Sequence, residues 1–309
     1  MKVIITGASG FIGNSLATYM EDHRHEVVRL TRNPKLNEFK LPNTKNIQSW
    51  SSLLGGVDSF VHLAGRAHIL DDNVPCPLDE FRKVNVDWTI DVAKLVLNSD
   101  VKRFIYFSSL GVLGSESNDK PFTEISSPNP RYDYAKSKLE AEQKLTRLFA
   151  STNKELVIIR PPLVYSHSAP GNFGRLLVLA STLIPFPFSG VHNRRSLISL
   201  YNLVHFTELC CKHPKAANQT FVISDDEVLS TAEIVKNLRL GMHNKVPVFY
   251  FPKIILELMF KITGLIDTYN KVFGSLEVNN EKAKALLGWK PPESTYESLI
   301  TTGTKYKNK

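Results

Sequence analysis

The stretch KVIITGASGFIG, residues 2–13, decides the fold that this sequence predicts. An apolar run is followed directly by three glycines in the spacing GxxGxxG, and helical spacing begins within the same stretch and extends to residue 23. Glycines at such a junction let the backbone turn tightly and approach a pyrophosphate, which the free N–H groups of the helix N-terminus can bind. Because a second apolar run follows at 26–31, we interpret the loop as a dinucleotide site in preference to a plain tight turn.

Short apolar runs alternate with helical segments through the rest of the first half. This alternation, with nearly continuous apolar strands, is typical of a parallel, doubly wound α/β sheet of the Rossmann type. The predicted strands are 2–6, 26–31, 59–64, 103–108 and 155–160, and the predicted helices are 11–23, 79–98 and 134–150.

The second half is expected to divide between the sheet and a smaller, mostly helical lobe. After about residue 165 the pattern is irregular and rich in proline and glycine. One more helix–strand unit is predicted at 202–213 and 219–224, and the remainder has mostly helical patterns. We therefore predict a cofactor-binding Rossmann domain of 1–165 plus 196–224 and a substrate-binding lobe of 166–195 plus 225–309.

The composition of the 309 residues is that of a globular protein. No apolar run is long enough for a membrane span, and FPKIILELMFKITG (251–264) predicts an amphipathic helix in the core or lid of the second lobe, with a membrane-surface helix as the alternative. Three cysteines without a CxxC pair favour a cytoplasmic setting, and no metal site is predicted. The net charge of +8 is scattered, which favours a phosphorylated substrate over nucleic acid.

The stretch RYDYAKSKLEAE (131–142) contains two overlapping Tyr-x-x-x-Lys pairs, Tyr132 with Lys136 and Tyr134 with Lys138. Residues four apart share one helix face, so either pair could act together. The face of Tyr134 and Lys138 continues as an apolar stripe and the other face as a polar one, so we predict that the second pair packs on the sheet. The residues that mark the two faces are Ala141, Leu145 and Leu148 on the first and Gln143 and Arg147 on the second.

A tyrosine beside a lysine suits the transfer of a hydride between a carbinol and a nicotinamide cofactor. The tyrosine can carry the proton that the carbinol loses or the ketone gains, and the ammonium lowers the pKa of the phenol and can bond the nicotinamide ribose. A hydroxyl from Ser108-Ser109, at the end of a predicted strand, is placed to orient the reacting oxygen.

The end of the second predicted strand bears on the choice of cofactor. NAD sites often place an acid there to bind the ribose 2′-hydroxyl, whereas a 2′-phosphate favours a cation. This chain has Thr31-Arg32 and no acid at that point, which favours NADP over NAD.

Together these residues resemble the extended short-chain dehydrogenase/reductase family, specifically its nucleotide-sugar epimerases, reductases and dehydratases. The likeness runs along nearly the whole chain. Each motif alone is modest evidence, but together the motifs are highly specific for this family. The matching segments are TGASGFIG (6–13), HLAG (62–65), VNVDWT (84–89), FSSLGVLG (107–114), YAKSK (134–138), RPPLVY (160–165), NRRSLISLYNL (193–203) and LGWKP (287–291).

The resemblance implies a role for each matching position. Tyr134 would be the acid/base, Lys138 its partner, and Ser109 the hydroxyl that orients the substrate. Asn85 would be a structural residue near the catalytic strands. The remaining positions would hold the cofactor diphosphate (Gly7, Gly10, Phe11, Ile12, Gly13), its adenine ribose (Ala64, Gly65), its nicotinamide (Pro161, Leu163) and the diphosphate of the substrate (Asn172, Arg195). The family also implies a homodimer through helices 79–98 and 134–150.

Three departures from the family pattern narrow the function. Leu110-Gly111 stand where 4,6-dehydratases carry Asp-Glu, so elimination lacks its general acid and base and we reject a dehydratase. Leu113 replaces the usual tyrosine of the VYG motif, and Ser166-His167-Ser168 replace Gly-Pro-Gly, so the contacts to the sugar ring are left unassigned.

Three functions stay open at this point. The first is an epimerase acting at C4 of a nucleotide hexose, with UDP as the expected nucleotide, in the synthesis of cell-surface polysaccharide precursors. The second is an NADPH-dependent 4-keto reductase of a UDP-(N-acetyl) 6-deoxyhexose. The third, a non-catalytic NADP-binding sensor, is disfavoured because such a protein typically loses the Tyr-Lys pair, which this chain retains at Tyr134 and Lys138.

Overall fold

The computed structural model describes residues 1–67, 76–117, 120–187, 189–264, 269 and 272–309 of the chain. Its strands are β1 (Lys2–Thr6), β2 (Glu26–Thr31), β3 (Phe39–Lys40), β4 (Ser59–His62), β5 (Arg103–Phe107), β6 (Glu155–Arg160), β7 (Leu163–Tyr165), β8 (Leu197–Ser199) and β9 (Gln219–Val222). Seven of them form one parallel sheet in the order β3–β2–β1–β4–β5–β6–β9. β7 and β8 form a separate two-stranded parallel sheet.

Helices connect the strands and cover both faces of the large sheet. Their bounds are α1 (Phe11–Asp22), α2 (Ile47–Leu54), α3 (Pro77–Arg82), α4 (Thr89–Leu97), α5 (Asp133–Phe149), α6 (Gly171–Ser181), α7 (Leu200–Lys212), α8 (Thr231–Gly241), α9 (Lys253–Ile262), α10 (Glu281–Leu287) and α11 (Thr295–Lys307).

The sheet buries one apolar cluster on each face because successive side chains of a strand point in opposite directions. Val3 and Ile5 of β1 belong to the cluster that includes residues of α1 and α7. Ile4, between them, belongs to the cluster that includes residues of α2, α4 and α5. Helices on both faces of a parallel sheet confirm the predicted doubly wound Rossmann class.

The predicted strands of the large sheet are all present, and their ends agree within two residues. The short β3 and the small sheet of β7 and β8 were not predicted. The helix predicted at 79–98 consists of α3 and α4 joined by a π-helical turn, Lys83–Trp88. Such turns occur often at functional sites, and this one carries Asn85.

A third apolar cluster lies beside the small sheet and joins α6, α8 and α11. It contains Phe173, Leu238 and Leu299, all fully or nearly fully buried. The predicted boundaries between the two lobes stay a prediction. Within the described ranges, no helix is both long and apolar enough to cross a membrane.

α8 and α11 approach so closely that glycines are required between them. A Cβ on Gly241 would overlap the carbonyl oxygen of Ile300, and one on Gly303 would overlap that of Leu238. The hydroxyl of Thr304 also donates a hydrogen bond to the Gly241 carbonyl, at 3.0 Å. The packing of α8 on α11 therefore depends on a backbone-to-backbone contact.

We expect Gly241→Ala to lower the free energy of unfolding by about 1–3 kcal/mol, because the added methyl forces α8 and α11 apart. Urea unfolding followed by circular dichroism measures this change. Gly55→Ala is the matched control, since its Cβ would meet nothing closer than 3.9 Å and its φ of −62° suits alanine. Equal effects of the two substitutions would contradict the interpretation.

Candidate active site

The turn between β1 and α1 holds a backbone conformation that side chains would prevent. Gly7 has φ of +71°, and a Cβ there would lie 2.8 Å from the backbone nitrogen of Ala64. A Cβ on Gly13 would overlap the carbonyl oxygen of Gly7. The first N–H groups of a helix have no intrahelical partner, and Gly10 at the N-cap gives them no side-chain cap. The groups left to bind a diphosphate belong to Phe11, Ile12 and Gly13.

The loop after β4 brings this turn next to α5. A Cβ on Gly65 would lie 3.1 Å from Oδ1 of Asn85 and 3.5 Å from Nζ of Lys138. Asn85 accepts a hydrogen bond from the Arg66 N–H at 2.7 Å and donates to the Arg66 carbonyl at 3.1 Å. It also donates to Oγ of Ser137 at 3.0 Å. Asn85 thus fastens the β4 loop to the helix of the predicted catalytic pair.

Lys138 is a buried cation beside Gly65, with only 4% of its surface exposed. Its ammonium donates a hydrogen bond to the carbonyl of Phe107 at 2.8 Å. It also lies 4.7 Å from the ring centroid of Tyr106 and 6.0 Å from that of Tyr134. Burial lowers the pKa of Lys138 to about 8, and the carboxylate of Glu142 opposes that shift. The ammonium therefore keeps its charge at neutral pH.

Tyr134 and Tyr132 occupy different environments, as the helical stripes predict. Tyr134 is partly buried, and its ring meets that of Phe81 edge-on at 6.1 Å. Tyr132 is the N-cap of α5 and is 50% exposed, and Lys136 pairs with Asp133 at 2.9 Å. The Tyr134 and Lys138 pair therefore faces the sheet and Gly65.

The neighbouring ammonium does not lower the pKa of Tyr134 below its ordinary value, contrary to the expectation from the sequence. Burial raises the pKa of Tyr134 to about 12. The ammonium lies 6.0 Å from the ring centroid, and its attraction does not overcome the cost of an unsolvated phenolate. Tyr134 is therefore a neutral phenol at pH 7.

A buried ion pair that the sequence analysis did not find lies one turn beyond Lys138. Glu142 accepts two hydrogen bonds from Arg160 at the end of β6, at 2.9 Å from Nε and 2.6 Å from Nη2. The side chains are 5% and 10% exposed respectively. The spacing of Lys138 and Glu142 on one helix face was the available signal, since position 142 lies on the same stripe.

The two serines after β5 differ in their surroundings. Ser109 is partly buried, and its Oγ accepts a hydrogen bond from the Gly111 N–H at 3.1 Å. A Cβ on Gly111 would lie 3.4 Å from that Oγ and 3.5 Å from Cβ of Ala135, so Ser109 is near the start of α5. Ser108 is buried, and its Oγ has no hydrogen-bond partner within the described residues. The structure therefore brings Ser109 near the residue that follows Tyr134.

The predicted nicotinamide contacts lie between β6 and β7. The Pro161 carbonyl accepts a hydrogen bond from the Leu110 N–H at 2.9 Å, which joins it to the turn that carries Ser109. Leu163 begins β7 and packs, like Phe11, against the third apolar cluster.

The predicted substrate residues lie in the first turn of α6 and two residues before β8. Asn172 is exposed in the first turn of α6, and Nη1 of Arg195 donates to the Gly274 carbonyl at 3.0 Å. Burial lowers the pKa of Arg195, and Glu116 opposes that shift. Glu116 lines a pocket of about 540 Å³ within residues 113–131. Among the described contacts, none joins Asn172 or Arg195 directly to Tyr134.

A carboxylate that the sequence analysis missed lies beside the end of β2. Thr31 is buried and donates a hydrogen bond to Oε2 of Glu38 at 3.1 Å, while Arg32 is exposed. The Lys35 N–H also donates to that oxygen, at 2.9 Å, and together with Thr31 it lowers the pKa of Glu38. Glu38 is seven residues from Thr31, so its approach depends on the turn between them.

The arrangement fits a dinucleotide with a nicotinamide ring. The glycine turn lets the backbone pack tightly at the N-terminus of α1, where uncapped N–H groups can bind a diphosphate, and Gly65 lets the chain approach Asn85 and the ammonium of Lys138. Within the ranges that the structure describes, no three His, Cys, Asp or Glu side chains come together as a metal site.

The comparison with known families agrees with this geometry. Residues 3–183 match the model of the NAD dependent epimerase/dehydratase family. The chain belongs to this family. The resemblance to extended short-chain dehydrogenase/reductases is thereby confirmed, and a nicotinamide cofactor is the group that these residues would hold.

Three similar proteins illustrate the relationship. A UDP-glucose 4-epimerase of Vibrio cholerae is 34% identical over 99% of this chain and 95% of its own length. An N-acetyl-α-D-glucosaminyl-diphospho-ditrans,octacis-undecaprenol 4-epimerase of Escherichia coli O157:H7 is 27% identical over 85% of this chain and 81% of its own. The crystal structure of UDP-N-acetylglucosamine 4-epimerase from Bacillus cereus superposes with a TM-score of 0.80 over the full length of both chains at 17% identity, which shows the shared fold.

The low pKa of Lys138 predicts a specific dependence of stability on pH. Below pH 8 the folded and unfolded chains both carry the ammonium. Between pH 8 and 10.5 the folded chain has lost a proton that the unfolded chain keeps, so the contribution of Lys138 to stability rises with pH. The shift corresponds to about 3 kcal/mol. We expect Lys138→Met to remove this rise, measured by urea unfolding across that range.

Lys136→Met is the control for this experiment, because Lys136 is partly exposed and paired with Asp133. It should leave the rise in place. If the Lys138 variant and wild type show parallel pH profiles, Lys138 does not titrate early in the folded chain.

Proposed function

We propose that this protein is a nucleotide-sugar 4-epimerase that acts on a UDP-hexose in the synthesis of cell-surface polysaccharide precursors. The observation that carries the proposal is the placing of Tyr134 and Lys138 on the sheet-facing side of α5, with Lys138 beside the loop that adjoins the glycine turn. The two similar 4-epimerases, one acting on a UDP-sugar and one on a diphospho-undecaprenol sugar, support the substrate class.

Each residue of the site has a distinct task in this reaction. Tyr134 takes the proton of the C4 hydroxyl as the ketone forms and returns it after the sugar presents its other face. Ser109 orients the C4 oxygen through its hydroxyl. Lys138 supplies a fixed positive charge beside the cofactor ribose and the phenol. A nicotinamide cofactor held here would supply the hydride chemistry, and the positive charge of its oxidised form would favour the phenolate of Tyr134.

The substrate diphosphate is assigned to Asn172 and Arg195. A guanidinium can form two parallel hydrogen bonds to phosphate oxygens, and Arg195 lies beside the pocket at residues 113–131 through Glu116. The segment 113–131 is fastened to the second lobe by backbone hydrogen bonds from Ser117 to Ser275 and from Phe122 to Glu277. The pocket lined by residues of 113–131 is where we place the nucleotide sugar.

Dehydration is not part of the proposal. Leu110 is 2% exposed and packs in an apolar cluster, so the position that carries an acid in 4,6-dehydratases is apolar here.

A 4-keto reductase is the second candidate function, since Arg32 at the end of β2 suits NADPH and the neutral phenol of Tyr134 suits proton donation to a ketone. The Tyr134 and Lys138 pair argues against a non-catalytic sensor.

Incubation with nucleotide sugars separates these functions. The purified protein is mixed with UDP-hexoses, with their N-acetylated forms and with UDP-4-keto sugars, each with and without NADPH. Interconversion of C4 epimers without net NADPH consumption supports the epimerase, and stoichiometric NADPH oxidation supports the reductase. Cofactor binding with neither reaction would favour the sensor and contradict the proposal.

We expect Tyr134→Phe to reduce turnover by about 10²–10⁴-fold while cofactor binding is kept, because only the proton carrier is removed. Tyr132→Phe removes the same atom from an exposed N-cap residue and is the matched control. Turnover is measured by product analysis and cofactor binding by calorimetry. A greater loss in the Tyr132 variant would overturn the assignment of the pair.

The preferred cofactor form has two opposing determinants. Arg32 favours NADP, as the sequence predicts, while the carboxylate of Glu38 on Thr31 favours NAD because it would repel a 2′-phosphate. We expect Arg32→Ala to weaken NADP⁺ binding about tenfold with little change for NAD⁺, and Glu38→Gln to improve NADP⁺ binding. Calorimetric titration of both cofactors measures this; equal losses for both in the Arg32 variant would exclude Arg32 as the selector.

We also propose that the enzyme is located in the cytoplasm. The three cysteines are free, which agrees with that location.

We propose in addition that the protein is a homodimer through α3, α4 and α5, as the family pattern implies. Light scattering would measure the mass of the assembly.

A further inference from the structure

The helix α9 carries an apolar face that the rest of the protein does not cover. Ile254, Leu258 and Ile262 follow each other at intervals of four residues and so share one side of the helix. They are 81%, 54% and 77% exposed, and Ile255 beside them is 47% exposed. Phe260, on the opposite side, packs against the rings of Tyr269 and Phe273. The expectation that this helix belongs to the core holds only for that inner side.

More exposed apolar side chains lie on the segments that lead into α9. Phe186 and Ser189 form backbone hydrogen bonds with Pro247 and Phe249, and the chain then runs from Tyr250 into the helix. Leu183 and Ile184 precede the first of these segments, and Phe249 and Tyr250 end the second. All four side chains are exposed. We call the outer face of α9 together with these four residues the α9 surface.

The charges around the α9 surface are almost all positive. Residues 171–190 and 236–264 contain six basic residues and a single acid, Glu257. Lys245 and Lys261 are exposed, and Arg175 is exposed one turn before the exposed Val178 on α6. The six basic residues are Arg175, Lys236, Arg239, Lys245, Lys253 and Lys261.

We propose that the α9 surface binds the headgroup region of an anionic phospholipid membrane. A helix that exposes bulky aliphatic side chains beside lysines can bury its apolar face at the acyl boundary while the lysines attract the anionic headgroups. The protein would thus be a peripheral membrane protein, held by its second lobe.

The charges favour a membrane over a second copy of the chain. A symmetric pair places the same surface of each copy in contact, so the basic residues of one copy would face those of the other. Within the described parts of 171–190 and 236–264, Glu257 is the one acid that could offset that repulsion. Arg239 is buried, but an anionic lipid surface complements the charges of the exposed Arg175, Lys236, Lys245 and Lys261.

The test is co-sedimentation of the full chain with vesicles. One set contains phosphatidylcholine alone and the other contains about one third phosphatidylglycerol. We expect binding to the second set, weakened by salt, and a loss of about fivefold or more in the variant Ile254→Asn/Leu258→Asn. Ile47→Asn/Ile125→Asn is the matched control, because both residues are well exposed on the sheet domain; it should bind like wild type.

A second variant and a light-scattering measurement complete the test of the proposal. Lys245→Glu/Lys261→Glu keeps the apolar face and should also lose binding to the anionic vesicles. No binding by wild type, or equal binding by wild type and the α9 variant, overturns the proposal. Light scattering identifies a competing occupant: if wild type ignores vesicles and the α9 variant halves its mass, a second copy covers this surface. None of these measurements depends on enzyme turnover.

Discussion

The buried ammonium of Lys138 is the constraint around which the rest of the site is arranged. A cation out of water needs partners, and this one has the Phe107 carbonyl from β5 and the ring face of Tyr106 from the same strand. The carboxylate of Glu142, one turn further along α5, adds a favourable charge without contact. Glu142 is in turn held by two hydrogen bonds from Arg160 on β6. Two strands and one helix are therefore joined through charged groups at the carboxyl end of the sheet, where ligands bind in this class of fold.

The same constraint explains why small residues and an amide surround the pair. Gly65 leaves space over the ammonium, and Asn85 uses both ends of its amide to hold the backbone of Arg66 and the hydroxyl of Ser137. The π-helical turn brings Asn85 into that position. A wider side chain at Gly65 would meet both the amide and the ammonium. The backbone of Arg66, four residues after β4, is thus held by hydrogen bonds, which reduces the cost of ordering this part of the site on binding.

Periodicity predicted the sheet and distinguished Tyr134 from Tyr132, because both depend on which side of an element is apolar. What it could not predict depends on tertiary approach. Glu38 reaches Thr31 only because the chain turns back after β2, and the Glu142 and Arg160 pair joins residues on different elements. The outer face of α9 is a third example. An amphipathic pattern shows that a helix has two different sides. It does not show that Tyr269 and Phe273 pack on Phe260, on the side opposite the exposed aliphatic residues. The raised pKa of Tyr134 also depends on burial that no local pattern reports.

The opposed pKa shifts of Tyr134 and Lys138 limit how the pair can work. With values of about 12 and 8, the resting state at neutral pH is a neutral phenol beside a charged ammonium, which is ready to donate a proton and not to accept one. Desolvation causes both shifts, so neither can be relieved without water or a new charge. A reductase needs only this donor state. The proposed epimerase must also reach the phenolate, and a neighbouring positive charge would favour that form by lowering the pKa of Tyr134. In that proposal the acid for the second half of epimerisation is the form of Tyr134 that the fold favours, whereas the base for the first half requires such a charge.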